Sequence, residues 1–421
     1  MQYPKILLIS PYNIFEDNDA TSISIRSILK NWPKEKIVEI YCGVYDDIDN
    51  NSNSKLSLDV NDVFMGSLIE KLRNRKHKFE NKETINELVL VDNHSKSAKF
   101  FSKLKFFLSG SADLFCYKKT KIDEFVKEQK PDIIYLIPYG IRILDLAIYI
   151  HQKFNIPIVP HFMDDWISTL YTDSKFMFLQ KKQLNNKFTS LMKNISHSFV
   201  ISEAMKIEYQ KRYNDKNFHA LMNSPSVNLP NSIEAKEISK ICYFGSLHLN
   251  RWDSLYKICK IIKENQINIK IDLYSNDWDL VKNNFSDFDF VTCVGFIPPH
   301  EVNKTMKNYD AVLFIESFDN SVKKYTKFSM STKIPEYLSS GLPIIGIGPS
   351  DIASVSYLKN NKVALVLDDE NLIQWNSLIR NFVTDLESIE KCVQLSLKLF
   401  TENHDSSKVL DIFIKIVNDA K

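Results

Sequence analysis

The most informative stretch of this chain is residues 329–345: Ser-Met-Ser-Thr-Lys-Ile-Pro-Glu-Tyr-Leu-Ser-Ser-Gly-Leu-Pro-Ile-Ile. The pattern predicts a loop, a short helix, a tight turn and a buried strand. Thr332 is suited to N-cap the helix, and Pro335 falls in the first turn, where its missing N–H costs little. Gly341 suits the left-handed residue that ends a helix, and Pro343 prevents continuation.

The predicted helix carries two charged side chains, Lys333 and Glu336, at its beginning. A helix start offers free N–H groups and the positive end of the helix dipole to an anion, here with a lysine beside it. Glu336, one turn further, could accept hydrogen bonds from two vicinal hydroxyls such as those of a ribose. This stretch therefore predicts a nucleotide site.

Around this stretch, strand-like apolar runs alternate with helical patterns, which indicates parallel sheets covered by helices. We interpret the chain as two Rossmann-like halves, 1–225 and 238–400, followed by a helical tail at 401–421. A polar piece at about 46–58 is predicted to be an exposed loop.

Composition narrows the class of protein. A length of 421 residues indicates two domains, and 44% hydrophobic and 25% charged residues are ordinary for a globular protein. A net charge of +2 argues against a strongly basic nucleic-acid binder. Six scattered cysteines without CxxC spacing fit reduced thiols better than disulfides or a zinc site. The apolar N-terminal run is too short for a signal peptide, and no apolar stretch has the length of a membrane span, so a cytoplasmic location is expected.

The turn at 243–251 leads from a buried strand into a helix. Gly245 permits close backbone approach, and Arg251 stands just before the helix, where it can pair with a phosphate. We interpret the turn as a phosphate site; the alternative is an ordinary strand-to-helix turn with a solvent-facing arginine.

Polar residues follow another predicted strand at 156–160, namely His161, Asp164 and Asp165. Side chains at the carboxyl ends of parallel strands face the ligand crevice. At least one of the three is expected to act at the reacting centre. The alternatives are a helix N-cap for one aspartate and a packed histidine.

The segments 329–345 and 241–251 resemble the donor site of GT-B glycosyltransferases, specifically the bacterial family 4 type. The resemblance implies two Rossmann-like domains facing each other across a cleft, with the last helix crossing back onto the first domain. It implies a nucleotide-sugar donor as substrate, no cofactor and no metal, and a retaining transfer. Glu336 would hold the ribose, Gly245, Arg251 and Lys333 would lie near the diphosphate, and Thr332 is a further donor-binding candidate.

The chain departs from that family at two positions. Ser246 stands where a basic residue usually follows the glycine, and Phe328 stands where a glutamate usually precedes Glu336 by eight positions. Ser329 and Ser331 are candidates to replace that glutamate as sugar contacts. Glu316, after another buried strand, could enter the site from a different direction, or be an exposed loop carboxylate.

The acceptor is expected to enter from the first domain. Tyr12 and Thr21, on either side of the loop after the first strand, are further candidates for contact with acceptor or phosphate, with helix capping as the alternative for Thr21 and Ser22. The run 98–108 mixes lysines with aromatics. It predicts either a basic helix on an anionic membrane surface or plain core packing.

The sequence thus predicts a hexosyltransferase-type glycosyltransferase with a glycan or lipid-linked acceptor, active in surface polysaccharide synthesis (O-antigen or capsule) at the cytoplasmic face of the inner membrane. Two alternatives remain. One is a sugar-nucleotide epimerase with the same fold, and the other is a non-catalytic nucleotide-binding partner subunit.

Overall fold

The computed structural model describes residues 3–17, 19–42, 54–63, 116–172, 177–214 and 216–421. The predicted membrane-facing run 98–108 lies outside the described residues, as does most of the predicted loop at 46–58. The end of that loop prediction is wrong, because Lys55–Leu58 pairs as a parallel strand with its neighbour Ile37–Cys42.

The first sheet has seven parallel strands in the order β3-β2-β1-β4-β5-β6-β7. They are β1 Ile6–Ser10, β2 Ile37–Cys42, β3 Lys55–Leu58, β4 Ile133–Leu136, β5 Ile158–Phe162, β6 His197–Val200 and β7 Asn217–Ala220. β1 and β5 are buried at every position, which is the pattern of a strand covered on both faces.

The second sheet has six parallel strands in the order β10-β9-β8-β11-β12-β13. They are β8 Lys240–Phe244, β9 Lys270–Tyr274, β10 Val291–Cys293, β11 Ala311–Ile315, β12 Ile344–Ile347 and β13 Ala364–Leu367. In each sheet the strand order reverses beside the first strand, between β1 and β4 and between β8 and β11. Ligands of open α/β sheets bind at such a switch in strand order.

Helices cover both faces of the sheets. Around the first sheet lie α1 Ala20–Leu29, α2 Thr120–Gln129, α3 Gly140–Phe154, α4 Trp166–Thr169, α5 Phe178–Asn194 and α6 Glu203–Arg212. The remainder are α7 Arg251–Glu264, α8 Trp278–Val281, α9 Pro299–Met306, α10 Asn320–Thr326, α11 Lys333–Ser339, α12 Ala353–Asn360, α13 Trp375–Thr384, α14 Leu386–Asn403 and α15 Ser406–Asp419. Short 3₁₀ turns occupy Lys34–Lys36, Val60–Asp62, Lys282–Phe285 and Leu372–Gln374. No helix in this described part of the chain is both long and apolar enough to cross a bilayer.

The last helix, α15, lies on the first sheet although it follows the second domain. Phe413 is fully buried and packs edge-on against Trp32 and Tyr135, with ring centroids 5.4 and 4.9 Å away. The chain passes between the domains at His404, whose Nδ1 lies 3.0 Å from the carbonyl of Asn223. The predicted boundary at 401 falls inside α14, and the crossing is a few residues later.

The segment before α11 lies across the carboxyl ends of the first-domain strands. The Ser202 hydroxyl, after β6, donates to the Phe328 carbonyl at 2.7 Å, and the Asn223 side chain, after β7, donates to the Thr332 carbonyl at 3.1 Å. These bonds place the two carboxyl-terminal sheet edges on opposite sides of one interdomain cleft.

Candidate donor site

Gly245 and Lys333 meet at the centre of the second-domain side of the cleft. Gly245 has φ of +129°, and a Cβ there would lie 1.9 Å from Lys333 Nζ. Any other residue would push the end of the lysine side chain away and would be strained at this φ, so glycine lets the ammonium group lie against the backbone. The same ammonium lies 5.5 Å from the centre of the Tyr243 ring. Two residues predicted from separate segments are thus in contact.

Arg251 and Glu316 form a buried ion pair beside this contact. The Arg251 Nη2 atom lies 3.2 and 3.1 Å from the two carboxylate oxygens, and Nε lies 3.3 Å from one of them. Burial raises the pKa of Glu316 and would lower that of Arg251, but the carboxylate holds the pKa of the guanidinium above its usual range. Glu316 therefore orients Arg251, with only 6% of its own side chain exposed.

Lys333 and Glu336 carry side chains with no hydrogen bond or ion pair to any described residue. Burial and the nearby Arg251 charge lower the pKa of Lys333 to about 8. Burial raises the pKa of Glu336 to about 7, although Lys333 opposes the shift. Groups with such shifts, held without partners in a cleft, are candidates for ligand contact.

The residues before α11 use their polar groups mainly within the protein. The Ser331 N–H donates to the Ser354 hydroxyl at 3.0 Å, and the Ser329 hydroxyl donates to the Asp164 carboxylate across the cleft. Thr332 occupies the N-cap position of α11 but makes no side-chain capping bond, so that predicted cap is wrong. Gly341 has φ of +78°, as predicted for the residue that follows the helix.

The three candidates after β5 occupy different environments. His161 is fully buried, with Nδ1 2.7 Å from the Tyr135 hydroxyl and Nε2 3.2 Å from the Leu221 carbonyl. Burial lowers its pKa to about 3, so the ring is neutral at physiological pH. With both nitrogens engaged inside the domain, His161 cannot reach a substrate in this arrangement, and the packed-histidine alternative describes its position.

Asp165 is also held inside the first domain. Its carboxylate accepts bonds from the Tyr209 hydroxyl at 2.9 Å and from Arg212 Nη1 at 2.8 and 3.1 Å. Asp165 stands before α4, yet makes no capping bond to it. A carboxylate with both oxygens engaged in this way is a structural ion pair rather than a group facing a ligand.

Asp164 alone of the three faces the cleft. Its side chain is exposed, but the surrounding protein atoms keep enough water from the carboxylate to raise its pKa to about 6, with a smaller contribution from Asp165. The Ser329 hydroxyl opposes the rise by donating to it. The structure therefore separates a cleft-facing carboxylate from two packed neighbours.

Tyr12 lies on the same side of the cleft as Asp164. Its hydroxyl donates to Asp19 at 3.1 Å, and burial raises its pKa, with the Asp164 charge among the smaller contributions. Thr21 is beside the same hydroxyl, but the cap of α1 is Asp19, which accepts from the N–H groups of Thr21 and Ser22. The predicted capping by Thr21 and Ser22 is therefore wrong, because an aspartate two residues earlier already accepts those bonds.

The structure thus brings Gly245, Arg251, Lys333 and Glu336 together and leaves Asp164 opposite them. One neighbour that sequence analysis did not name is Asp277, whose charge also acts on Lys333 and Arg251. Its position just after β9 is a signal that could have identified it. Within the described residues no group of three or more His, Cys, Asp or Glu side chains is arranged to hold a metal ion.

No protein-family model matches this chain, and no curated protein matches it in sequence. Solved structures do match. HepE from Anabaena, in complex with UDP, superposes with a TM-score of 0.64 at 11% identity, covering 99% of this chain and 100% of HepE. TarM has a TM-score of 0.62 at 9% identity, covering 98% of this chain and 99% of its own. WaaG, a glycosyltransferase involved in lipopolysaccharide biosynthesis, has a TM-score of 0.54 at 11% identity, covering 98% and 99%.

Identities this low establish the fold and leave the activity to be argued from the site. The predicted fold class is confirmed: the chain has two parallel-sheet α/β domains in the GT-B arrangement.

Proposed function

We propose that this chain is a glycosyltransferase that moves a sugar from a nucleoside-diphosphate sugar to a glycan or lipid-linked glycan acceptor. The donor would lie against the second domain, with its diphosphate at Gly245, Arg251 and Lys333. The resemblance to family 4 further implies retention of configuration at the transferred sugar and no need for a metal or cofactor.

The proposal rests on the ammonium group of Lys333. It lies against Gly245 beside the Arg251 guanidinium and has no hydrogen-bond or ion-pair partner among the described residues. Two neighbouring cations repel each other, and Arg251 indeed lowers the pKa of Lys333. An arrangement that is unfavourable when empty becomes favourable when a dianion enters. Fixed cations also stabilise the negative charge that develops on the leaving diphosphate.

Glu336 would hold the ribose of the donor. Its carboxylate lies one helical turn from Lys333 and is unpartnered among the described residues, with a pKa raised to about 7. Two vicinal hydroxyls satisfy the two oxygens of a carboxylate, and hydrogen bonds to a partly buried carboxylate are among the stronger ones.

Asp164 is the proposed contact for the acceptor or the transferred sugar on the first-domain side. With a pKa raised to about 6, it is mostly ionised at neutral pH and can accept a hydrogen bond from a sugar hydroxyl. Ser329 would reach the same region from the second domain, because its hydroxyl already bonds Asp164. Closure of the domains over both substrates would exclude water as a competing acceptor.

We choose UDP as the first nucleotide to test, and a bacterial surface glycan as the expected product, from the solved structures that this chain resembles. HepE structures hold UDP, glucose or UDP-glucose, and WaaG is involved in lipopolysaccharide biosynthesis. A lipid-linked acceptor would place the protein at the cytoplasmic face of the inner membrane.

The test has two steps. Purified protein is first heated with a panel of UDP-, GDP- and dTDP-sugars, because a ligand that binds the native state raises Tm. The stabilising donor, labelled in the sugar, is then incubated with lipid-linked or soluble glycan acceptors. Label that moves into the acceptor supports the proposal. No stabilisation by any nucleotide-sugar contradicts the donor site, label in an altered nucleotide-sugar indicates epimerisation, and binding without either reaction indicates a non-catalytic subunit.

A further inference from the structure

A buried aspartate organises the loop between β8 and α7. Asp277 Oδ2 accepts bonds from the Ser246 hydroxyl and from the Leu247 N–H, each at 2.7 Å. Asp277 Oδ1 lies 3.0 Å from His248 Nε2. The Ser246 hydroxyl also accepts from the His248 N–H at 3.0 Å. These contacts hold three consecutive residues, 246–248, close to the end of β9.

The contacts leave the imidazole of His248 at the surface. Its side chain is 59% exposed, whereas that of Asp277 is 12% exposed. With Nε2 on the carboxylate, the second ring nitrogen, Nδ1, makes no hydrogen bond to a described residue. A fixed, exposed ring nitrogen of this kind is a ready contact for a ligand, because a carboxylate partner sets the orientation of the imidazole.

The loop that carries the imidazole also borders the candidate donor site. His248 is three residues from Gly245, on which Lys333 rests, and its carbonyl accepts from the Arg251 N–H at 3.3 Å. The negative charge of Asp277 acts on both Lys333 and Arg251 as a minor contribution that favours their charged forms, although burial still leaves the pKa of Lys333 below its usual value. Asp277 therefore interacts both with the imidazole of His248 and with the two cations of the candidate donor site.

We propose that His248 is a third side-chain contact for the donor diphosphate and that Asp277 is the residue that positions it. This inference rests on the proposed function and adds a residue to it. With a proton on each ring nitrogen, the imidazole donates from Nε2 to Asp277 and from Nδ1 to a phosphate oxygen, so that the ring bridges a fixed anion and a bound one. Ser246 supports this placement through its two bonds, at the position where the resemblance leads one to expect a basic side chain.

The experiment compares binding of UDP with binding of uridine, which lacks the diphosphate, by calorimetry. His248→Ala is expected to weaken UDP binding about tenfold, the equivalent of about 1.4 kcal/mol, and to leave uridine binding unchanged. His248→Lys, which restores a cation, is expected to recover UDP affinity, whereas the neutral His248→Gln is not. Asp277→Asn is expected to weaken UDP in the same selective way.

The matched control is His300→Ala, which removes an exposed histidine next to Glu301 on α9 and should bind UDP as the wild type does. Equal UDP affinity for wild type and His248→Ala would overturn the inference, as would equal losses of UDP and uridine. Its failure is distinct from that of the proposed function. If Arg251→Ala abolishes UDP binding and His248→Ala leaves it intact, only the role of His248 is contradicted. If the wild-type protein binds no UDP, GDP or dTDP, both the role of His248 and the proposed function are contradicted.

Discussion

The two sides of the cleft differ in how their polar side chains are used. On the first-domain side, the polar side chains are already hydrogen-bonded within the domain. His161 bonds Tyr135, and Asp165 bonds Tyr209 and Arg212. On the second-domain side, Lys333 and Glu336 have none of their side-chain polar atoms bonded to a described residue, and their pKa values are shifted towards neutrality.

The difference separates side chains that stabilise the fold from side chains that are available to a ligand. Side chains that are already satisfied contribute to folding and have little left for a substrate, whereas buried groups without partners cost stability until a ligand supplies the missing bonds. Asp164 is the exception on the first-domain side, since among the described residues its one side-chain donor is Ser329, from the other domain. Substitutions on the two sides should therefore change different measurements.

The largest effect is expected from Lys333→Ala. Loss of the unpartnered ammonium should lower kcat/KM about 100- to 1000-fold, in the range found when one electrostatic contact to the transition state is removed. Gly245→Ala should have a similar effect, because its Cβ would occupy the place of the ammonium group. The measurement is initial rate against donor concentration.

The control for both is Lys398→Ala, which removes an exposed lysine whose ion pair is with Glu402 on α14. Retention of full activity by Lys333→Ala, with the donor affinity of the wild type, would place the diphosphate elsewhere.

The second comparison is between neighbouring aspartates. Asp164→Asn should lower kcat about tenfold or more, as expected for a group that contacts a reacting hydroxyl, with little change in Tm. Asp165→Asn should instead reduce the free energy of unfolding by about 2 kcal/mol, since Arg212 is left without its buried partner but remains partly exposed. Rates and melting curves of the two variants separate the roles, and a reversed pattern would exchange the assignments.

The third effect is pH dependence of donor affinity. Glu336 has a pKa of about 7 and accepts hydroxyl bonds best when ionised, so binding should weaken as pH falls below 7. Lys333 has a pKa of about 8 and binds phosphate only when charged, so binding should also weaken as pH rises above 8. Each limb should approach about a tenfold loss per pH unit beyond the pKa.

The measurement is the Kd of a nucleotide-sugar from pH 5.5 to 9.5 in the His248→Gln background, where the proposed imidazole contact does not contribute to the profile. A doubly esterified diphosphate keeps a constant charge over this range. Glu336→Gln should remove the acid limb and keep the alkaline one. An acid limb of unchanged midpoint and size in that variant would show that another group is responsible.

The smallest effect is expected at Phe328, where the family resemblance predicts a glutamate. Its ring lies 5.4 Å from the Arg212 guanidinium of the first domain. Phe328→Ala should reduce stability by about 1 kcal/mol through lost cation–π and apolar contact, and should leave the Kd for UDP unchanged. Calorimetry and melting curves report the two quantities, and a large loss of UDP affinity would mean that the ring contributes to the donor site itself.

Sequence patterns predicted most of the strands but not all. The runs that became β1, β4 and β11 are apolar and fully buried, which is the clearest strand signal available. β2, β3 and β7 were not predicted, and the residues of β3 were expected to belong to a loop. β2 contains Glu39, which is tolerated inside the sheet because its carboxylate accepts the Ile14 N–H at 2.9 Å, and β7 is a four-residue strand at the edge of the sheet. Neither reason can be read from local composition.

Local sequence patterns predicted two parallel-sheet α/β halves and the segments that form the donor side, because turn chemistry, helix ends and buried strands depend on residues close together along the chain. The GT-B class was implied by the family resemblance. Which polar residues remain without partners depends on the tertiary structure. His161, Asp164 and Asp165 lie within five positions of one another, yet only Asp164 faces the cleft, since the partners that engage the other two come from strands and helices distant in sequence. Hydrogen bonding between distant segments is a property of the folded arrangement, and it is that property which separates the residues of the cleft from those of the core.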